Sequence, residues 1–131
     1  MNKADAFEKL RKLTVAQLVL LKLSWHYPKG LRPKDIAKFI KKVKPVKRAE
    51  SQVSRCLKNF RTAGVVTKIK TKDGKDKRGL WTITNNGLKK VRYYWLTGLV
   101  PTDLMNPYVL EHVRIRRKIV DEDGNVKYIY I

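Results

Sequence analysis

The sequence predicts an α+β fold, and three patterns carry that prediction. Apolar residues recur at spacings of three and four between residues 4 and 60, which is the helical period. Two later stretches, residues 65–84 and 113–131, alternate apolar and polar residues on either side of a turn, as β-hairpins do. At 131 residues with 43% apolar content, the chain is the size of one domain with a full hydrophobic core.

The first two predicted helices differ in their apolar surface. Residues 4–12 form a short helix, and Thr14 is placed to cap a second one that runs to about His26. The second helix is apolar on more than one side and must therefore be covered on more than one side. The three-helix core covers one face. The other face needs either the C-terminal segment or a second copy of the protein.

A third helix follows a break at Tyr27–Gly30. Leu31 and Arg32 suit a short strand, and Pro33 suits the first position of the helix, with Asp35 in its first turn. The outward face of this helix is basic and carries Lys34, Lys38, Lys41 and Lys42. Those lysines are either a solvated face or, beside Arg55 and Lys58, contacts to phosphate groups.

The fourth helix, at about residues 49–63, precedes a basic hairpin. Val53, Cys56, Leu57 and Phe60 form one apolar stripe, and Gly64 follows where a helix ends in a left-handed residue. Strands at 65–70 and 80–84 flank a polar tip at 72–79 that contains Asp73-Gly74. This order is that of a winged helix-turn-helix, a three-helix core plus a β-hairpin wing.

The same run contains Val53-Ser54-Arg55, Leu57-Lys58, Gly64-Val65-Val66, and Trp81-Thr82-Ile83-Thr84 followed by Gly87. In these residues it resembles the recognition helix and wing of winged helix-turn-helix regulators of the broad MarR and ArsR type. The resemblance covers roughly residues 16–87 and implies DNA binding. One departure is the longer turn at residues 44–47, which lacks a Ser or Thr cap for the helix that follows.

The remaining chain adds a helix and a second hairpin. Asn85 or Asn86 is predicted to cap a helix that runs to about Thr97, and its aromatic residues either pair across a two-fold axis or pack on helix 14–26 of the same chain. Residues 99–107 suggest a linker, and strands at 113–120 and 126–131 a β-hairpin. That hairpin is either a second basic arm or an oligomerisation element. We therefore expect a domain over 1–98 and an extension over 99–131 packed on it.

The charge of the chain predicts a polyanionic partner. Lys and Arg number 31 against 11 Asp and Glu, which gives a net charge of +20. Between residues 29 and 78 there are 18 basic and 4 acidic residues, so +14 of the excess lies there. Such an imbalance costs folding energy through self-repulsion and is typical of nucleic-acid-binding proteins.

Several function classes find no support in the sequence. His26 and His112 are far apart, Cys56 is the single cysteine, and the Asp121–Asp123 cluster suits a turn better than a metal site. No glycine-rich phosphate loop occurs. We expect no enzyme, no cofactor and no metal. The most apolar stretch, residues 15–23, is too short to cross a membrane, so we expect a cytoplasmic protein, nucleoid-associated in a prokaryotic cell.

The predicted contacts to double-stranded DNA divide by role. An α-helix fits the major groove, where base edges are distinguishable. The base-contacting residues are predicted to be Ser51, Gln52, Arg55 and Asn59. The predicted backbone contacts are Lys34, Lys38, Lys47, Arg48, Ser54, Lys58 and Arg61. The wing contributes Lys70, Lys72, Lys75, Lys77 and Arg78, with Arg78 entering the minor groove.

Together these expectations predict that the protein binds double-stranded DNA sequence-specifically and regulates transcription. A homodimer through helix 14–26 and the last helix would place two recognition helices about 34 Å apart on a pseudo-palindromic site. The alternative is a non-specific nucleic-acid-binding protein of chromatin, replication or structured RNA, because the charge fits both.

Overall fold

The structure, a computed structural model, describes residues 3–70, 72–74 and 76–131. Within these residues the chain forms six α-helices, one short 3-10 helix and two separate antiparallel hairpins. The predicted α+β class is confirmed. In the described residues no helix is both long enough and apolar enough to span a lipid bilayer.

Four helices make up the N-terminal half: α1 (Lys3–Arg11), α2 (Val15–Trp25), α3 (Pro33–Val43) and α4 (Ala49–Thr62). Thr14 caps α2 as predicted. Its hydroxyl accepts the N–H of Gln17 at 3.1 Å, and the Gln17 side chain accepts the N–H of Thr14 at 2.9 Å. Two reciprocal bonds of this kind satisfy N–H groups that a helix start otherwise leaves free. Pro33 begins α3, also as predicted.

Helix α2 lies at the centre of the core. Its residues 18–21 and Leu23 have no measurable exposure, and α3, α4 and α5 pack around it. The C-terminal segment completes the cover. The indole N–H of Trp25 donates to the carbonyl of Leu104 at 2.7 Å, and the Asn106 amide donates to the carbonyl of Ser24 at 2.8 Å. The sequence left open whether the C-terminal segment or a second copy covers the other face of α2. In the structure the C-terminal segment of the same chain packs there.

The first hairpin joins β1 (Val66–Lys70) to β2 (Asp76–Ile83). Val66 pairs with Ile83 and Lys68 with Trp81, and the register then shifts before Lys70 pairs with Asp76. The sequence-based start of the second strand at Leu80 was wrong. Between the last two of these pairs β2 has more residues than β1, and the register shift accommodates them, with Gly79 at φ 73° among them. The pairing with β1 therefore continues to Asp76.

A third short strand position lies beside this hairpin, as predicted. Leu31 and Trp81 exchange two main-chain hydrogen bonds of 2.9 and 3.0 Å. The bridge ties the chain before α3 to β2.

Helix α5 (Asn85–Leu96) begins one residue earlier than the predicted caps allow. Thr84 is the N-cap, so the prediction of Asn85 or Asn86 was wrong. The Thr84 hydroxyl donates to the carbonyl of Gly64 at 2.7 Å and accepts the N–H of Gly87 at 3.3 Å. The bond to Gly64 depends on the folded hairpin and could not be read from local sequence.

The C-terminal third holds a 3-10 turn (Thr102–Leu104), a sixth helix and the second hairpin. Helix α6 (Pro107–His112) was not predicted: it begins at the last residue of the expected linker, 99–107, and ends before the expected strand, 113–120. Its signal was present in the sequence: Asn106 accepts the N–H of Tyr108 at 3.0 Å, and Pro107 occupies the first turn. The strands of the second hairpin are β3 (Arg116–Val120) and β4 (Val126–Tyr130).

Arg92 on α5 anchors this C-terminal third. It is 6% exposed and donates to the main-chain oxygens of Ile131, Val109 and Leu110 at 2.9, 3.1 and 3.1 Å. Burial and the nearby Arg114 lower the pKa of Arg92. A buried guanidinium thus stabilises the C-terminal third through its bonds to three main-chain oxygens.

Candidate nucleic-acid interface

The outward face of α4 is the centre of the candidate site. Ser51, Arg55 and Lys58 are exposed, and Asn59 and Arg61 are exposed at its edges. The apolar stripe lies opposite, with Ala49, Val53 and Leu57 buried in the core. Ser51 and Arg55 line two surface depressions, one lined also by Glu50 and Lys58 and the other also by Lys47 and Arg48. The predicted residues Ser51, Arg55, Lys58, Lys47 and Arg48 therefore share one open, mainly basic surface.

Gln52 and Ser54 are placed differently from their neighbours. Both are half-buried. The Gln52 amide donates to the carbonyl of Lys47 at 2.9 Å and so closes the loop before α4. One of its two amide donor hydrogens is already engaged, which leaves this side chain less able to make a bidentate contact.

The start of α4 reflects the missing Ser or Thr cap. Arg48 is the N-cap residue, with φ 53° and ψ 46° and no side-chain cap bond. A non-glycine residue in the left-handed region carries a backbone cost. This conformation turns the chain out of the 44–47 loop and leaves the side chains of Lys47 and Arg48 exposed beside Ser51.

The outward face of α3 extends the positive surface. Lys34, Lys38, Lys41 and Lys42 are exposed, and α3 packs against α4 through its buried face. Asp35 is the single acidic residue of α3, and Glu50 that of α4. Positive charge therefore dominates both helices of the pair.

The predicted wing residues are described only in part. Lys70 and Lys72 are exposed. Lys75 lies outside the described residues, and so do the side chains of Lys77 and Arg78, although the backbone of both belongs to β2.

Trp81 connects α4 to the first hairpin. The Arg61 guanidinium lies 5.9 Å from the centre of the Trp81 ring, and the Lys68 ammonium lies 5.2 Å from it. Both distances suit cation–π contacts. The end of α4 and strand β1 are thereby held on one indole, which fixes the helix face relative to the hairpin.

Arg32 is a basic residue of this surface that was not among the predicted DNA contacts. It is exposed, and its side chain runs beside Gly79 of β2, about 3.8 Å from where a Cβ would stand there. The signal was the short strand predicted at Leu31 and Arg32, which places Arg32 next to the hairpin. It joins the positive surface of α3 to that of the hairpin.

Cys56 borders the site without the features of a reactive thiol. It is half-buried, and burial raises the pKa of its thiol, while Arg55 lowers it to a smaller extent. A raised pKa lowers the thiolate fraction, which is the reactive form. Among the described residues, no three His, Cys, Asp or Glu side chains cluster so as to hold a metal ion.

No protein-family model, no curated protein and no solved structure matches this chain.

Proposed function

We propose that this protein binds double-stranded DNA as a winged helix-turn-helix, with α4 in the major groove and the first hairpin on the backbone. The observation that supports it best is the open row of Ser51, Arg55 and Lys58 on α4. An α-helix fits the major groove, and these side chains are of the types that contact base edges and phosphates.

The individual roles follow from exposure and chemistry. Arg55 suits bidentate contact to guanine, and the exposed Asn59 suits adenine. Lys58, Lys47 and Arg48 border the same face and suit phosphate contacts. The lysines of α3 and the basic residues of the first hairpin would extend those contacts along the duplex.

Regulation of transcription is the use that we propose for this binding. Sequence-specific contacts in the major groove are what a regulator needs, and the proposal involves no catalytic step. A cytoplasmic or nucleoid location follows from a DNA partner and is part of the same proposal.

Non-specific nucleic-acid binding is the second candidate. It is favoured by the bond from Gln52 to Lys47, because that bond removes a base-reading donor from the helix face. Phosphate contacts alone give affinity without sequence preference.

Selection of bound duplexes from a random pool separates the two candidates. We expect an enriched motif with the wild-type chain, and with Arg55→Ala the loss of about 1–3 kcal/mol of discrimination at the base pair that Arg55 contacts. Arg117→Ala is the matched control, since Arg117 is equally an exposed arginine but lies on β3. A pool that shows no motif with the wild type, and equal affinity for selected and scrambled duplexes, would leave only the non-specific candidate.

A further inference from the structure

Exposed apolar side chains are concentrated in the second hairpin. Of the nine large hydrophobic residues that are exposed in the described part of the chain, six lie on β3 and β4. Tyr128 and Tyr130 are 53% and 67% exposed. All ten strand residues are exposed, and an isolated two-stranded hairpin is marginally stable in water. This hairpin therefore lacks the cover or the additional strands that a stable sheet needs.

The hydrogen-bond pattern shows which backbone groups of β4 face outward. Ile115 and Ile131 exchange two bonds of 2.9 Å, and the N–H of Asp121 donates to Asn125 at 3.0 Å. Hydrogen-bonded and non-bonded pairs alternate along an antiparallel ladder. The pairs of Lys127 and Ile129 with β3 are therefore the bonded ones. The main-chain groups of Val126, Tyr128 and Tyr130 point away from β3.

The two edges of this hairpin have different chemistry. Strand β3 begins with Arg116, Arg117 and Lys118, and charged side chains of this kind protect an edge from pairing. Strand β4 reads Val126, Lys127, Tyr128, Ile129, Tyr130, with one charge. Aromatic and β-branched residues favour strand pairing, so β4 is the edge open to another strand.

We infer that β4 pairs with β4 of a second copy of this chain, antiparallel about a two-fold axis at Tyr128. Tyr128 then faces Tyr128 of the second copy, and Val126 faces its Tyr130, which is a favourable aromatic–β-branched pair. The outward groups of the two strands form about six main-chain hydrogen bonds in this register. The product is a four-stranded sheet, with β4 strands at its centre and the charged β3 strands at its edges.

The charges of the hairpin fit the same arrangement. The turn carries Asp121, Glu122 and Asp123, all exposed, and the opposite end carries Arg114 and Arg116. In an antiparallel pair the acidic turn of one copy lies at the arginine-bearing end of the other. The same attraction between carboxylates and arginines therefore occurs twice, once at each end of the pair. The three carboxylates would repel a nucleic-acid backbone at the tip of the hairpin, whereas they attract the arginine-bearing end of a second copy. A second copy is therefore the favoured occupant.

This inference does not depend on the proposed DNA binding. It uses no residue of α4 or of the first hairpin, and it differs from the predicted dimer contact through helix 14–26 and the last helix, of which α2 is largely buried within one chain. It gives the chain a dimer contact on a different surface from the candidate DNA interface.

Sedimentation equilibrium of the full chain tests it. In salt of about 0.3 M, which shortens the range of repulsion between basic chains, we expect the mass to rise from 15.3 kDa toward twice that value. The suitable concentrations are about 10 to 200 µM, where weak association becomes visible. Tyr128→Lys and, independently, Tyr130→Lys place a charge at the seam, and each is expected to raise the dissociation constant about tenfold or more.

Val120→Lys is the matched control. Val120 is 56% exposed and lies on the same face of the hairpin, but on β3, away from the seam. We expect it to associate as the wild type does. Circular dichroism of all three variants checks that each chain is folded.

Two results would overturn the inference. One is an equal loss of association with Val120→Lys and Tyr128→Lys. The other is a wild-type mass that stays at that of a single chain over the whole concentration range. If Tyr128→Ala then also weakens binding to a single-stranded oligonucleotide about fivefold or more, as loss of base stacking would, the face is assigned to nucleic acid.

Discussion

Gly87 shows how closely the chain packs at a single residue. It is buried in the first turn of α5, where that helix meets the first hairpin. A Cβ on Gly87 would lie 2.2 Å from the carbonyl oxygen of Val65 and 2.4 Å from Cγ1 of Ile83. The Val65 carbonyl also accepts the N–H of Thr84 at 3.0 Å, so it cannot move aside without loss of that bond.

Gly87→Ala is therefore expected to destabilise the protein by about 1–3 kcal/mol, despite the higher helix propensity of alanine, because the added methyl overpacks a buried contact. Urea unfolding measures the free energy. Asn86→Ala is the control, since Asn86 is exposed one position earlier and a change there should stay within about 0.5 kcal/mol. Equal midpoints for the two variants would contradict this packing.

At the scale of the element, α5 is defined by its cap. Thr84 belongs to neither neighbouring element but bonds to both sides of the junction, with Gly64 before β1 and with Gly87 in α5. Asn85 and Asn86, the residue types that local preference selects, are exposed instead. Thr84 is therefore the cap because its hydroxyl also bonds to Gly64 across the junction, which neither asparagine does in the structure.

Thr84→Ala should therefore cost about 0.5–2 kcal/mol of stability, the range for loss of an N-cap hydroxyl, and Asn85→Ala should cost little. Thermal or urea unfolding of the two variants, side by side with the wild type, gives the comparison. A larger loss with Asn85→Ala than with Thr84→Ala would return the cap to the asparagine and contradict the arrangement of this junction.

At the scale of the molecule, charge is distributed unevenly. The positive surface follows α3, α4 and the first hairpin, whereas the large hydrophobic residues that are exposed in the described part of the chain lie after residue 92. The two surfaces share no residue. The proposed DNA interface and the proposed self-association can therefore be disrupted separately, by changes in different parts of the chain.

The salt dependence of duplex binding tests the charged surface as a whole. If about 6–10 phosphates are contacted, affinity should fall about 10³- to 10⁵-fold between roughly 50 and 200 mM salt. Lys38→Ala should reduce the slope of log affinity against log salt by about 0.9, the share of one phosphate contact. Lys127→Ala, an exposed lysine on β4, should leave the slope unchanged. A wild-type slope near zero, measured by fluorescence anisotropy, would contradict a phosphate-dominated interface.

The sequence predicted the regular elements well where periodicity was strong. Helices α1 to α4, the left-handed Gly64 and the bridge at Leu31 all lie where apolar spacing and turn residues placed them. It failed at junctions: the cap of α5, the start of β2 and helix α6. The cap of α5 depends on a bond to Gly64, twenty residues earlier, and local preference carries no information about such a partner. The start of β2 depends on an irregular register with β1, and the local signal of α6 at Asn106 and Pro107 was missed.

For the candidate site, the sequence predicted which side chains share the outward face of α4 but not the contacts made by the neighbouring loops. The helical period was sufficient to place Ser51, Arg55 and Lys58 on one face, because side-chain direction follows from residue number within a helix. It could not indicate that Gln52 would bond to Lys47, or that Arg32 would lie beside Gly79. Those contacts involve loops and neighbouring elements.

By itself, then, the sequence determined the α+β class, the order of the elements through the first hairpin, and the concentration of positive charge between residues 29 and 78. These follow from local periodicity and composition. Only the tertiary structure decided that the C-terminal segment covers α2, through Leu104 and Asn106, and that the second hairpin remains uncovered. The reason is physical: an apolar helix requires burial, but its sequence does not specify which of several available surfaces will bury it.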